Sequence, residues 1–318
     1  MNDVAASAPG KFVILGEHAV VYGRPAIALA INRRFNIRVR NSNEFRINND
    51  YADLKSNPHL RYIMERHGVP SVSVYMDSRI PTGSGLGSSA ALSTAFSAAI
   101  RTIVGGSTDP EEIAKEAFEA EYFSQGRGSP MDTSASTYGH GISLNIPGNE
   151  SDHLWNISKN EHSWNISKMD VPEMTFVVGY TGIRAATGPL VEKVKRYKDT
   201  NGFAEDIINE IGAITLEGAN AIKRNDLVKL GDLMTRDHKL LSILGVSCNE
   251  LNKLVNATLP HAYGAKLTGS GGGGSMIVLT DEPEKVSEAI MSRGSVPFTV
   301  TTGVDGVKIT SRMNDQKR

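Results

Sequence analysis

Residues 81 to 92, PTGSGLGSSAAL, place three glycines and three serines between Gly83 and Ala90 and then turn into small apolar residues. Glycines let a backbone approach a ligand closely, and the free N–H groups and dipole at a following helix start attract phosphate. Ser88 and Ser89 add hydroxyls that can hold phosphate or a cation. The stretch is not a Walker A loop, because no Gly-Lys-Ser/Thr follows. It also makes a poor dinucleotide fingerprint, since no acid stands at the required distance. By itself it implies an anion-binding strand-to-helix turn. Two further segments carry similar chemistry. APGKFVILGEHAVVYGRPAIA offers Lys11 after a Pro-Gly and the adjacent pair Glu17 and His18, and KLTGSGGGGSM is a second glycine run from Gly269 to Gly274.

These segments need elements to hold them. FNIRVR and SVSVYM alternate apolar and polar residues, the period of half-buried strands, and NPHLRYIMERHG between them reads as a short helix ended at Gly68. After the glycine loop, AALSTAFSAAIRTIV reads as a buried helix, and DPEEIAKEAFEAEYF as a second one with an Asp cap and Pro110 at its first position. The duplicated WNISK at 155–159 and 164–168 predicts a hairpin with a Trp on each arm. MTFVVGY reads as a strand, residues 187–257 as largely helical, and the remainder as strand, strand, helix, strand, an order that suits a ferredoxin-like α+β layer.

Composition narrows the class. With 318 residues, 40% of them hydrophobic, the chain can bury a core without staples. Its 34 basic and 35 acidic side chains leave a formal charge of −1, which offers no general footprint for nucleic acid or an anionic membrane. One cysteine, Cys248, excludes an internal disulfide and a cysteine-based zinc site. No apolar run is long enough to span a bilayer and no leader pattern is visible, so the expected location is the cytoplasm.

Three glycine motifs in this order resemble the small-molecule kinase superfamily that includes galactokinase, homoserine kinase, mevalonate kinase and phosphomevalonate kinase. The resemblance covers essentially the whole chain, and PGKFVILGEHAVVYGRPAIA is similar to the mevalonate kinases of compact archaeal type. It implies an α+β fold of two domains: a ribosomal-protein-S5-like one, expected over 1–170, and a ferredoxin-like one, expected over 171–318, with the active site in the cleft between them. It also implies ATP and Mg²⁺ as cofactors and a small-molecule alcohol as acceptor. A homodimer is a common assembly for such enzymes.

Carried over residue by residue, the resemblance makes Pro81, Gly83, Ser84, Gly85, Leu86, Gly87, Ser88, Ser89 and Ala90 the nucleotide cradle. Ser89 and Glu121 become the metal ligands, Asp132 the residue that takes or orients the hydroxyl proton, and Lys11 its partner. Glu121 precedes Asp132 by eleven positions, as the family's metal-binding acid precedes its catalytic one. Glu17, His18, Thr181, Thr187 and Gly271 fall on the acceptor side. Without that register, Asp132 would read as a helix cap and Glu121 as a solvated acid.

One stretch departs from the family. Where archaeal mevalonate kinases generally carry D-T-G…S-T-K-E-L, this chain has YTGIRAATGPL: Tyr180 replaces the acid, Gly188 the lysine, and Arg184 is added. Arg127 stands in the turn before Asp132. Two arginines in place of an acid suit a phosphorylated acceptor such as mevalonate 3-phosphate, or else both face solvent. Alternatives of other classes are a different kinase of the superfamily and a non-catalytic nucleotide sensor, the latter disfavoured by the presence of both Lys11 and Asp132.

Overall fold

The computed structural model describes residues 3–81, 83–126, 128–148, 150–184 and 186–313. Arg127 lies outside the described residues.

The chain opens with two long antiparallel strands, β1 (Asp3–Leu15) and β2 (Ala26–Asn41), followed by the short β3 (Arg46–Ile47) and β4 (Asp50–Tyr51), helix α1 (Pro58–Arg66) and β5 (Val72–Ser78). The glycine loop then leads into α2 (Ser88–Ile103), α3 (Pro110–Gln125), α4 (Met131–Tyr138), β6 (Gly141–Leu144) and a hairpin of β7 (His153–Lys159) and β8 (His162–Met169). β9 (Thr175–Tyr180) enters a second region with α5 (Thr187–Thr200), α6 (Gly202–Lys223), α7 (Leu227–Ile243), α8 (Asn249–Thr258), β10 (Gly264–Thr268), β11 (Ser275–Leu279), α9 (Pro283–Met291), β12 (Val296–Thr301) and β13 (Lys308–Met313).

Two sheets result. The first runs β4-β3-β5-β2-β6-β8-β7, with β1 also on β2 and β13 on β1; the second is the antiparallel β10-β11-β9-β12. Alternation explains the outer half of β2: Phe35, Ile37 and Val39 face inward while Arg38 and Arg40 face water. β1 is different, because α2 covers it and nearly every residue from Val4 onward is buried. That burial on both faces is why its sequence does not alternate. Ala91, Ala95 and Ala99 recur at every fourth position of α2, all fully buried, so the helix lies close on the sheet.

The ferredoxin-like order expected at the end is present as β10, β11, α9 and β12. The last strand departs from it: β13 returns to the first sheet and pairs Asp3 with Met313 through Ser7 with Lys308. The WNISK duplication forms the expected hairpin, with Trp155 and Trp164 both buried. Its Trp155 indole N–H donates to Ser134 Oγ on α4 at 3.1 Å, and Trp164 meets the Phe118 ring of α3 edge-on at 5.9 Å. The hairpin therefore braces the two helices that carry Asp132 and Glu121.

Candidate active site

A cavity of about 410 Å³ opens between the two regions, lined from one side by β1, the glycine loop, α3 and α4, and from the other by α5 and the second glycine run. Lys11, Glu17, His18, Gly83, Gly85, Glu121, Asp132, Thr187 and Gly271 all line it. Residues from six separate stretches of sequence thus meet in one space.

Its floor is an ion pair. Lys11, on β1 and 3% exposed, places Nζ 2.9 Å from Asp132 Oδ1 on the first turn of α4. A buried ammonium without a counter-ion costs several kcal/mol, so Asp132 secures Lys11 while its own side chain stays 42% exposed and accessible to a ligand. The helix N-terminus favours the carboxylate charge. The neighbouring backbone is packed against the loop: Lys11 N–H donates to Leu86 O at 3.0 Å. Gly87, at φ 72°, caps α2, and a Cβ there would stand 3.1 Å from both Cγ and Cε of Lys11. Only a residue without a side chain lets the loop lie on the lysine stem.

The cradle residues divide by task. Ser88 and Ser89 open α2, where the first N–H groups have no intrahelical partner. Ser84 instead is buried and donates its hydroxyl to Pro81 O at 2.6 Å, closing the loop on itself. Leu86 and Ala90 are buried and contribute backbone and packing. The second glycine run faces the first: a Cβ at Gly274 would lie 3.8 Å from Ser84 O, and one at Gly269 4.0 Å from Gly85. The two glycine loops therefore lie backbone against backbone, with no side chain between them.

Ser89 and Glu121 meet directly, Ser89 Oγ donating to Glu121 Oε1 at 2.6 Å. Ser93 Oγ donates to the same oxygen at 2.9 Å, Gln125 Nε2 to Oε2 at 2.8 Å, and His59 Nε2 stands 3.1 Å from Oε1 and 3.2 Å from Ser89 Oγ. A hydroxyl and a carboxylate this close fit a hard divalent cation, which takes oxygen donors. His59, Ser93 and Gln125 escape motif reading; the signal for the last two was the i, i+4 spacing from Ser89 and Glu121 on their helices.

In the turn after β1, Glu17 and His18 lie 3% and 6% exposed. His18 Nε2 bonds Ser270 O at 3.0 Å, and since a carbonyl only accepts, that nitrogen carries the proton. Burial holds the His18 imidazole below its ordinary pKa, which keeps it neutral. Glu17 shares its Oε1 with the buried ammonium of Lys266.

The YTGIRAATGPL segment is placed less uniformly. Thr187 lines the cavity and donates to Ser270 Oγ at 3.3 Å, whereas Thr181 spends its hydroxyl on Gly274 O at 2.8 Å and shapes the second glycine run. Arg184 is exposed and lies over Gly83, its Nε 3.2 Å from where a Cβ would stand. It is thus at the rim beside the first glycine loop.

Comparisons with known proteins bear on the family and the fold. The chain matches the family models described as GHMP kinases N terminal domain over residues 57–140 and GHMP kinases C terminal over residues 219–294. A mevalonate kinase of Thermococcus sibiricus is 33% identical over 343 aligned positions, covering 96% of this chain and 98% of the relative. Among solved structures, the Methanococcus jannaschii mevalonate kinase aligns with TM-score 0.76 and 26% identity over 94% of this chain and 98% of that one. The L. major mevalonate kinase in complex with R-mevalonate aligns with TM-score 0.81, 23% identity and coverage of 93% and 94%, a likeness of fold.

Proposed function

The chain belongs to the GHMP kinase family, and from that footing we propose that it transfers the γ-phosphoryl group of ATP, with Mg²⁺, to the 5-hydroxyl of a mevalonate-type acceptor. The observation that carries the proposal is the Lys11–Asp132 pair at 2.9 Å on the floor of a cavity lined also by Glu121, to which Ser89 is hydrogen-bonded.

Phosphoryl transfer is largely positioning and charge stabilisation. In this reading Asp132 accepts a hydrogen bond from the acceptor hydroxyl and takes its proton as the oxygen–phosphorus bond forms and the bond to the departing ADP oxygen breaks. Lys11 stabilises the negative charge that grows on the hydroxyl oxygen. The start of α2 and the second glycine run bind the phosphates through backbone N–H groups. Ser89 and Glu121 would hold a divalent cation, which would supply positive charge to the phosphates during transfer.

A second acceptor is favoured by one feature. Tyr180 and Gly188 stand where the family pattern has an acid and a lysine, so this segment sets no acid against an added acceptor phosphate, and Arg184, at the rim over Gly83, is its one guanidinium. That favours mevalonate 3-phosphate. Steady-state kinetics with ATP, Mg²⁺ and, in turn, mevalonate, mevalonate 3-phosphate and mevalonate 5-phosphate test both levels. Higher kcat/KM with the 3-phosphate assigns that acceptor, higher kcat/KM with mevalonate assigns the unphosphorylated one, and turnover of none refutes the proposed activity.

A further inference from the structure

Three ionisable side chains form a cluster behind the wall that carries His18. Lys266 on β10 is fully buried; its ammonium contacts the Glu17 carboxylate and lies 3.2 Å from Asp237 Oδ2 on α7, itself fully buried. Two carboxylates share one ammonium where water has no access, and Glu17 Oε2 and Asp237 Oδ1 have no hydrogen-bond partner. Ion clusters of this kind are weaker stabilisers than apolar packing of the same volume. What this one supplies is placement.

Glu17 sits in the turn between β1 and the single helical turn Ala19–Tyr22. That turn is tight: Gly16 has φ +99°, with no room for a Cβ against Ala26 Cα at 2.5 Å, and His18 has φ +60°, a region side-chain-bearing residues seldom occupy. Such a conformation persists only when its surroundings hold it. Lys266 grips the turn at Glu17, and two residues later Thr268 accepts from Val13 N–H at 3.1 Å and donates to Val13 O at 3.0 Å. β10 then runs into Ser270, whose carbonyl accepts the hydrogen bond from His18 Nε2–H. His18 is therefore held from both sides by one short stretch of the second region.

We propose that Lys266 and Asp237 are positioning residues for the acceptor end of the cavity, acting through Glu17 on His18. Calling this the acceptor end rests on the kinase reading above. Burial pushes the Glu17 carboxyl up to about 8 and the Asp237 carboxyl upward as well, so the cluster keeps a proton at neutral pH. The groups facing it are Lys266 from β10, Asp237 and His238 from α7, and His18 from its own turn. Above pH 8 a second full negative charge appears beside His18.

The test compares wild type with Lys266→Met and Asp237→Asn, the latter nearly isosteric and the variant that decides if the former does not fold. Acceptor KM should rise tenfold or more in Lys266→Met with ATP KM within twofold. Wild-type kcat/KM for the acceptor should fall across pH 8, and Asp237→Asn, left with one acid and one ammonium, should flatten that fall. Equal changes in both KM values, or an unmoved pH profile, overturn the assignment. The histidine ¹⁵N spectra of the free protein read the same idea without substrate: the His18 resonance should move in both variants while that of His59 stays. An unmoved His18 overturns the proposal. If the wild-type enzyme turns over neither mevalonate nor mevalonate 3-phosphate, the activity proposed above fails and the spectra alone decide this one.

Discussion

Replacing Gly87 by Ala adds one methyl group at the start of α2, and the structure assigns it two separate costs. The first is conformational: at φ 72° a residue with a Cβ is disfavoured by about 1–2 kcal/mol. The second is local, because the new Cβ would lie 3.1 Å from Cγ and Cε of Lys11, where ordinary contact begins at 3.4 Å. The lysine stem must yield by several tenths of an ångström, and it carries the ammonium that pairs with Asp132. A 1 Å misplacement at a reacting centre costs about 10²-fold in rate, so a shift of about 0.3 Å should cost roughly fourfold in kcat. Gly68→Ala separates the two costs: Gly68 has a similar φ of +62° but nothing within 4 Å of its would-be Cβ. Both variants should lose a few degrees in Tm, and only Gly87→Ala should lose kcat. Coupled ADP-release kinetics beside thermal melts read both quantities. If kcat of Gly87→Ala stays within twofold of Gly68→Ala, the packing of the loop on Lys11 does not position the catalytic pair.

Asp132→Asn should lower kcat by roughly 10²–10⁴-fold while ATP KM changes little, measured by single-turnover phosphoryl transfer; retention of a tenth of the activity would exclude Asp132 as proton acceptor. Glu121→Gln should raise the Mg²⁺ concentration needed for half-maximal activity about tenfold and weaken Mn²⁺ binding followed by electron paramagnetic resonance, and unchanged Mn²⁺ affinity would remove Glu121 from the cation site. His238 accepts from Leu267 N–H through Nδ1 at 3.2 Å, and burial takes its pKa down to about 4. The folded form therefore favours neutral imidazole; stability is full above the unfolded value near 6.5 and falls as pH drops toward 4, by about 3 kcal/mol at most. Urea unfolding at pH 4.5 and 7 should show that loss in the wild type and much less of it in His238→Gln.

Local signals were sufficient where chemistry and chain order coincide. The Pro110 start of α3, the glycine loop before α2 and the WNISK hairpin follow from neighbouring residues alone. The pairing of Lys11 with Asp132 followed from resemblance, since nothing local joins residues on β1 and α4. Other partners had no signal of either kind. Lys266 reads as one polar residue in an apolar strand, and Asp237 as one acid on an amphipathic helix; only the packing of β10 on α7 and the β1 turn makes them a cluster. β13 was hidden for a related reason, because a strand at an edge is recognised by its partner, and its partner is β1. Arg184 shows the converse limit: its residue type suits an anion, but that it lies over Gly83 at the first glycine loop follows from the path of a connection without regular structure.

The pairing of β13 with β1 also governs how the molecule assembles. Contacts between residues so far apart in sequence require closing a loop over almost the whole chain, and such contacts form late and slowly. Until they form, the strand that bears Lys11 leaves part of one edge unpaired, an open template for another strand. Fragments cut anywhere between the two sheets would inherit that open edge. Competence for catalysis should therefore appear in refolding as a late, cooperative event, with aggregation through the β1 edge as its main competitor.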